Sequence, residues 1–151
     1  MVREGLVHKS RVIASTVPAV EALCRELLED VGVRGYDEDA VFGIHLAMEE
    51  AFLNAVRHGN GDDATKRVRV ECRIGPEKFD ISIADEGGGF DPEAVPDPRS
   101  KENLCKSSGR GVLLMRAYMD AVEYNEAGNC VRMIKYRSGA KADGRKHKAQ
   151  Q

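Results

Sequence analysis

The stretches RVRVECRI at 67–74 and FDISIAD at 79–85 alternate apolar and polar side chains, so each can bury one face and wet the other. Only the four residues GPEK separate them. So short a link permits an antiparallel hairpin and excludes a parallel pair, which needs a crossover of a dozen or more residues. A hairpin with one apolar face must then find a second layer to cover it.

Two upstream helices can supply that layer. In TVPAVEALCRELLEDVG, Thr16 is a candidate N-cap with Pro18 close behind. Val20, Leu23, Leu27, Leu28 and Val31 recur at three- and four-residue intervals, an amphipathic pattern that stops at Gly32. A second helix is expected from about Tyr36 or Asp37 to His58, with Gly59 supplying the left-handed residue just past its end. Leu6 to Ser15 reads as a first strand, GRGVLLMRAYMD as a short third helix, and AVEYNEAGNCVRMIKY as two strands around a turn at Glu126–Asn129. The order predicts a two-layer α/β (α+β) sandwich, a mixed, mostly antiparallel sheet with helices on one face.

At 151 residues the chain fits one compact domain, expected over 1–137. The segment from Arg137 onward sets five cations against Asp143, so 138–151 is expected to be a basic, disordered tail. Four cysteines without a CxxC pair suggest neither a zinc site nor a disulfide framework. Met1–Ser10 lacks the pattern of a signal peptide, and no stretch approaches the roughly 20 apolar residues that span a bilayer. A cytoplasmic protein without membrane or direct nucleic-acid partners is expected.

Three stretches carry chemistry. In AMEEAFLNAVRHGN, Ile44, Ala47, Met48, Ala51, Phe52 and Ala55 form a core arc, and Glu50, Asn54 and His58 form a row along its edge. A carboxylate and an amide beside a core must be hydrogen-bonded, paired or bound to a cation. Glu49 lies about 100° round the helix from Glu50, outside the row, and is assigned to structure. Asp85 shares the parity of Ile81 and Ile83, so its carboxylate should face the helices; the glycines after it, Gly87 and Gly89 among them, allow close approach of a ligand. In SSGRGVLLM, Gly109 and Gly111 open a helix, where free N–H groups favour an anion such as phosphate. Together these make a candidate nucleotide pocket, and the proline-rich residues 92–108 a candidate lid over it.

In this order, EEAFLNAVRHG, DEGGGFDPE and SSGRGVLLM resemble the three boxes of the Bergerat-type (GHKL) ATPases, and within them the small bacterial anti-sigma factor serine/threonine kinases. The resemblance spans Leu6 to about Arg137. It implies that ATP and Mg²⁺ are bound, with Asn54 as the magnesium ligand and Glu50 as general base. It implies that Asp85 accepts a hydrogen bond from the adenine amino group, that Gly87 and Gly89 let the turn pack on the nucleotide, and that Gly109, Arg110, Gly111 and Val112 line the phosphates. The family commonly has threonine after the glycine that leads into the last strand, assisting the adenine-binding Asp; here Asn129 and Cys130 follow Gly128, and Asn129 is the candidate to replace that hydroxyl donor. His58 either touches phosphate or caps the helix end.

The resemblance further implies a homodimer, an anti-anti-sigma (STAS-type) protein as substrate, and a sigma factor as the captive partner. Neither His8, in a predicted strand, nor His45, in the second helix, sits on a separate helical hairpin as a phospho-accepting histidine would. A non-catalytic ATP-binding switch and a slow ATP hydrolase, with Glu50 activating water, are the alternatives the residues leave open.

Overall fold

A computed structural model describes residues 5–87 and 107–138, the side chains of 107–110 excepted. Gly89, most of the expected lid (92–106) and the tail beyond Ser138 lie outside the described residues. The elements are β1 (Val7–Ala14), α1 (Val17–Gly32), α2 (Glu38–Leu53), β2 (Arg67–Ile74), β3 (Lys78–Ala84), α3 (Ser107–Tyr118), β4 (Ala121–Tyr124) and β5 (Cys130–Tyr136). Their strands form one sheet in the order β1-β2-β3-β5-β4. Every pairing is antiparallel, so the expected mixed sheet is purely antiparallel among the described residues. The helices cover one face of it, as the sandwich reading requires.

Local chemistry explains the boundaries. Thr16 caps α1 by accepting from the Ala19 N–H, and Asp37 caps α2 by accepting from the Ala40 N–H. In the hairpin, Ile74 pairs with Phe79 and the Gly75 N–H bonds the Lys78 carbonyl at 3.0 Å. Along β2 the alternation is complete: Val68, Val70, Cys72 and Ile74 are buried while Arg67, Arg69, Glu71 and Arg73 are exposed. In β3, Asp80 breaks the pattern by being buried on the uncovered face, where Arg132 of β5 grips both its oxygens at 2.7 and 3.0 Å. Phe52, Phe79, Leu27, Ile44, Met48 and Met115 anchor the core between the layers.

The end of α2 departs from expectation. Residues Asn54–Gly59 form a π-helical turn, a widening frequently found at functional sites. Gly59 does not adopt the left-handed conformation; that falls to Gly61 (φ 62°) and Asp62 (φ 61°). The extra residue in the turn also breaks the expected row, so Asn54 is buried whereas His58 is exposed. The third helix is described from Ser107, two residues before the glycine expected to open it, so Ser107 and Ser108 are helical where a lid was expected.

Candidate nucleotide site

Asn54 is the centre of the site. It is 5 % exposed, and neither Nδ2 nor Oδ1 makes a hydrogen bond within the described residues. The Tyr124 hydroxyl faces it from β4: burial pushes that phenol up to about 12, and the Asn54 side chain pulls the other way. Among the described residues only the Tyr124 hydroxyl is offered to this buried amide, and an unsatisfied polar group there costs on the order of 1–3 kcal/mol, so Asn54 is poised for a further partner.

The third stretch meets the first at a glycine. A Cβ on Gly111 would lie 2.9 Å from Glu50 Oε2 and 3.2 Å from Asn54 Nδ2, so with both side chains in their present places α3 lies against them because residue 111 has none. Glu50 is half-buried, whereas Glu49 is exposed and pairs with His45 at 3.1 Å on the far side of the helix. Glu50 is therefore the carboxylate that faces Asn54, and Glu49 is not. Val112 is 2 % exposed and joins the core, which leaves only its backbone for a phosphate; Gly109 and Arg110 lie in the first turn of α3.

The second stretch closes the opposite wall. Asp85 shares a cavity with Ala51, Asn54, Ala55, Ile83, Tyr124 and Asn129. Its Oδ1 accepts the Gly87 N–H at 2.7 Å. Burial raises the Asp85 carboxyl above its ordinary value, with the Gly87 bond and Lys66 opposing. Two glycines make this turn possible. A Cβ on Gly59 would sit 2.2 Å from Asp85 Cγ and Oδ2, and one on Gly87 would sit 1.8 Å from the Gly59 carbonyl oxygen. The glycine after His58 thus serves contact with the Asp85 carboxylate, not helix termination.

Two residues escaped sequence reasoning. Asn60 is 2 % exposed, accepts the Glu86 N–H at 2.8 Å, and donates to Ser15 Oγ and the Arg67 carbonyl, both at 3.0 Å. In sequence it looked like one more turn residue in HGNGDD. Tyr124 carried no signal beyond its place in a short strand.

The shared cavity measures about 10 Å³, at the lower limit of what holds a single water. Among the described residues no group of three or more His, Cys, Asp or Glu side chains could hold a metal alone. Asn54 nevertheless suits Mg²⁺, which takes one or two protein oxygens beside phosphates and water, because its amide oxygen is buried and accepts no hydrogen bond from the described residues.

A helix-covered antiparallel sheet with an orphaned amide, a turn-held aspartate and a glycine-rich helix start converging between the layers defines a nucleotide-binding α/β sandwich. The chain matches the histidine kinase-like ATPase domain family over residues 13–135, and it belongs to that family. It is similar to the serine-protein kinase RsbW of Bacillus subtilis, 29% identical over 134 residues, covering 83% of this chain and 84% of the relative. RsbW of Listeria monocytogenes is 28% identical over 127 residues, covering 79% of this chain and 81% of its own length. The anti-sigma F factor of Oceanobacillus iheyensis is 32% identical over 109 residues, covering 68% and 74%. The solved structure of the RsbU and RsbW domains of a Mycobacterium tuberculosis protein aligns with a TM-score of 0.57 at 16% identity, over 88% of this chain. This chain spans 31% of that structure, and the likeness there is one of fold.

Proposed function

We propose that the protein is an ATP-dependent protein serine/threonine kinase that acts as an anti-sigma factor. It phosphorylates a small anti-anti-sigma protein of the STAS type and sequesters a sigma factor. The observation that carries this is the convergence of Glu50, Asn54 and Asp85 on one narrow site, on a chain whose relatives are named serine-protein kinases and an anti-sigma F factor.

Each residue has a distinct task. Asp85, ionised, accepts from the adenine amino group, which orients the base at the sheet end of the cleft. The N-terminal turn of α3, with Gly109, Arg110 and Gly111, presents N–H groups toward the phosphates. Asn54 offers its amide oxygen to Mg²⁺, which when bound neutralises charge on the phosphates. Glu50 accepts the proton of the attacking serine or threonine hydroxyl as the new P–O bond forms and the bond to the leaving diphosphate breaks. The cavity that Asn54 and Asp85 share is too small for a nucleotide, so binding requires its walls to move apart.

Leu53, half-buried, lines a groove between α1 and α2 that includes Val17, Cys24 and Leu28. This apolar surface supports the reading of a homodimer or a partner site, which light scattering of the purified protein tests: a strictly monomeric mass rejects the dimer. Among the described residues no helix is long and apolar enough to cross a membrane.

The central test incubates the protein with γ-labelled ATP, Mg²⁺ and a STAS-type protein. Label on the partner's serine or threonine supports the kinase. Label appearing only as free phosphate, or no transfer despite nucleotide binding, replaces it with a hydrolase or a non-catalytic switch.

A further inference from the structure

The turn that carries Asp85 is held from both sides by asparagines. On one side, buried Asn60 accepts the Glu86 N–H at 2.8 Å while its own N–H groups are tied to Ser15 and Arg67. On the other, the Asn129 side chain donates through Nδ2 to the Gly87 carbonyl at 3.3 Å, and its backbone carbonyl accepts the Asp85 N–H at 2.9 Å. Asn129 is itself fixed. Its Oδ1 accepts from Asn125 Nδ2 at 2.8 Å, and Asn125 Oδ1 accepts the N–H groups of Gly128, Asn129 and Cys130 at 2.8, 3.0 and 3.2 Å. The β4–β5 turn is thus tied together by its own hydrogen bonds, and the Asn129 amide reaches out of it to the residue two beyond Asp85.

We infer that Asn60 and Asn129 are positioning residues which clamp the Asp85–Gly87 turn and thereby set the base specificity of the nucleotide site. The inference rests on the adenine-binding role proposed for Asp85. Asp85 has one oxygen engaged by the Gly87 N–H and its carboxylate pressed against Gly59, so its aim follows the position of Gly87. Fixing both neighbours of the carboxylate, Glu86 through its N–H and Gly87 through its C=O, holds the acceptor in one orientation. A carboxylate held that way favours a purine presenting an amino donor and rejects one presenting a carbonyl oxygen at the same place. With the clamp loosened, the turn can rotate and the penalty against the wrong purine falls.

Asn129 is only half-buried on a surface turn, so its replacement leaves the core intact. Asn129→Ala removes the bond to Gly87. Asn129→Asp retains size and the acceptor for Asn125 but cannot donate to the Gly87 carbonyl when ionised. Binding of Mg-ATP and Mg-GTP is measured by calorimetry for the full chain and both variants, with thermal unfolding in parallel. The expected result is a roughly tenfold fall in the ATP-to-GTP affinity ratio for both variants, arising on the ATP side, with the unfolding midpoint within a few degrees of the parent. A ratio unchanged in both overturns the inference. So does a loss confined to the alanine variant, since the donated bond would then be irrelevant. If the parent chain binds no ATP, the underlying nucleotide reading fails first, a result distinct from intact binding with unaltered selectivity.

Discussion

Replacing Gly59 by alanine tests the contact on which the Asp85 geometry depends. Gly59 does not have positive φ, so alanine is conformationally acceptable, and in a helical setting it would gain about 0.5–1 kcal/mol over glycine. The steric effect runs the other way. The new Cβ would lie 2.2 Å from Asp85 Cγ and Oδ2, where ordinary contact begins at 3.4 Å, so one group must retreat by roughly 1 Å. Asp85 is a short side chain on a turn pinned at Glu86 and Gly87, and the opposing surface is helix backbone, so neither yields cheaply. Overpacking of this kind costs about 1–3 kcal/mol, which the propensity gain only partly offsets. A displacement of about 1 Å breaks the charged hydrogen bond to adenine, about 1.5–3 kcal/mol, or about a 10- to 150-fold loss in affinity. Titration calorimetry with Mg-ATP reads the loss, and thermal unfolding separates it from global destabilisation. Parental affinity in a folded Gly59→Ala protein would refute both the contact and the role given to Asp85.

The same geometry makes further predictions. Glu50→Gln should keep Mg-ATP binding but slow transfer by roughly 10²- to 10⁴-fold, whereas Asn54→Ala should weaken the Mg-nucleotide complex itself; single-turnover kinetics with a binding titration tells them apart, and slower transfer in Glu49→Gln but not in Glu50→Gln would reverse the assignment. Gly111→Ala brings a Cβ 2.9 Å from Glu50 Oε2, the far end of a flexible side chain that can swing away, so transfer should drop with an unfolding midpoint near the parent's; parental kcat would show that Glu50 does not need its present place. Burial raises the Asp85 pKa above 3.8, so ATP affinity should decline as pH falls through that raised value. The stability linked to this group has the opposite sense: it is fully present below 3.8 and lost as pH rises through the folded pKa. Asp85→Asn should flatten both profiles, and an unchanged pH dependence of affinity would assign the titration to another group.

How much of this was legible in the residues depended on whether the signal was periodic. The strand alternation of 67–74 and the arc of Ile44, Met48 and Phe52 repeat a physical rule over several positions, the cap at Thr16 follows a local one, and each reappears in the structure. Asn54, Asp85 and their glycines were legible because polar or side-chain-free residues at core-facing places need a reason. Where a single residue bears two possible roles, periodicity is silent. Gly59 looked like a helix terminator because glycine usually ends helices by its conformation; here it is needed for its missing Cβ, which only the position of Asp85 reveals. His58 seemed to extend the row from Glu50 because a 3.6-residue repeat was assumed, and the π turn at Asn54–Gly59 adds the residue that rotates it into solvent. Asn60 was hidden for the same reason, and Asn129, singled out as the departure from the family's threonine, gave no sign of its bond to Gly87. An asparagine in a turn has a local explanation that suffices, so its long-range bonds, across 26 residues to Glu86 and 42 to Gly87, cannot be inferred from neighbours in sequence. Those two bonds join the helix end and the last hairpin to the turn between them. The aim of the Asp85 carboxylate is therefore set by three segments distant in sequence, and this part of the site emerges only once the sheet has assembled.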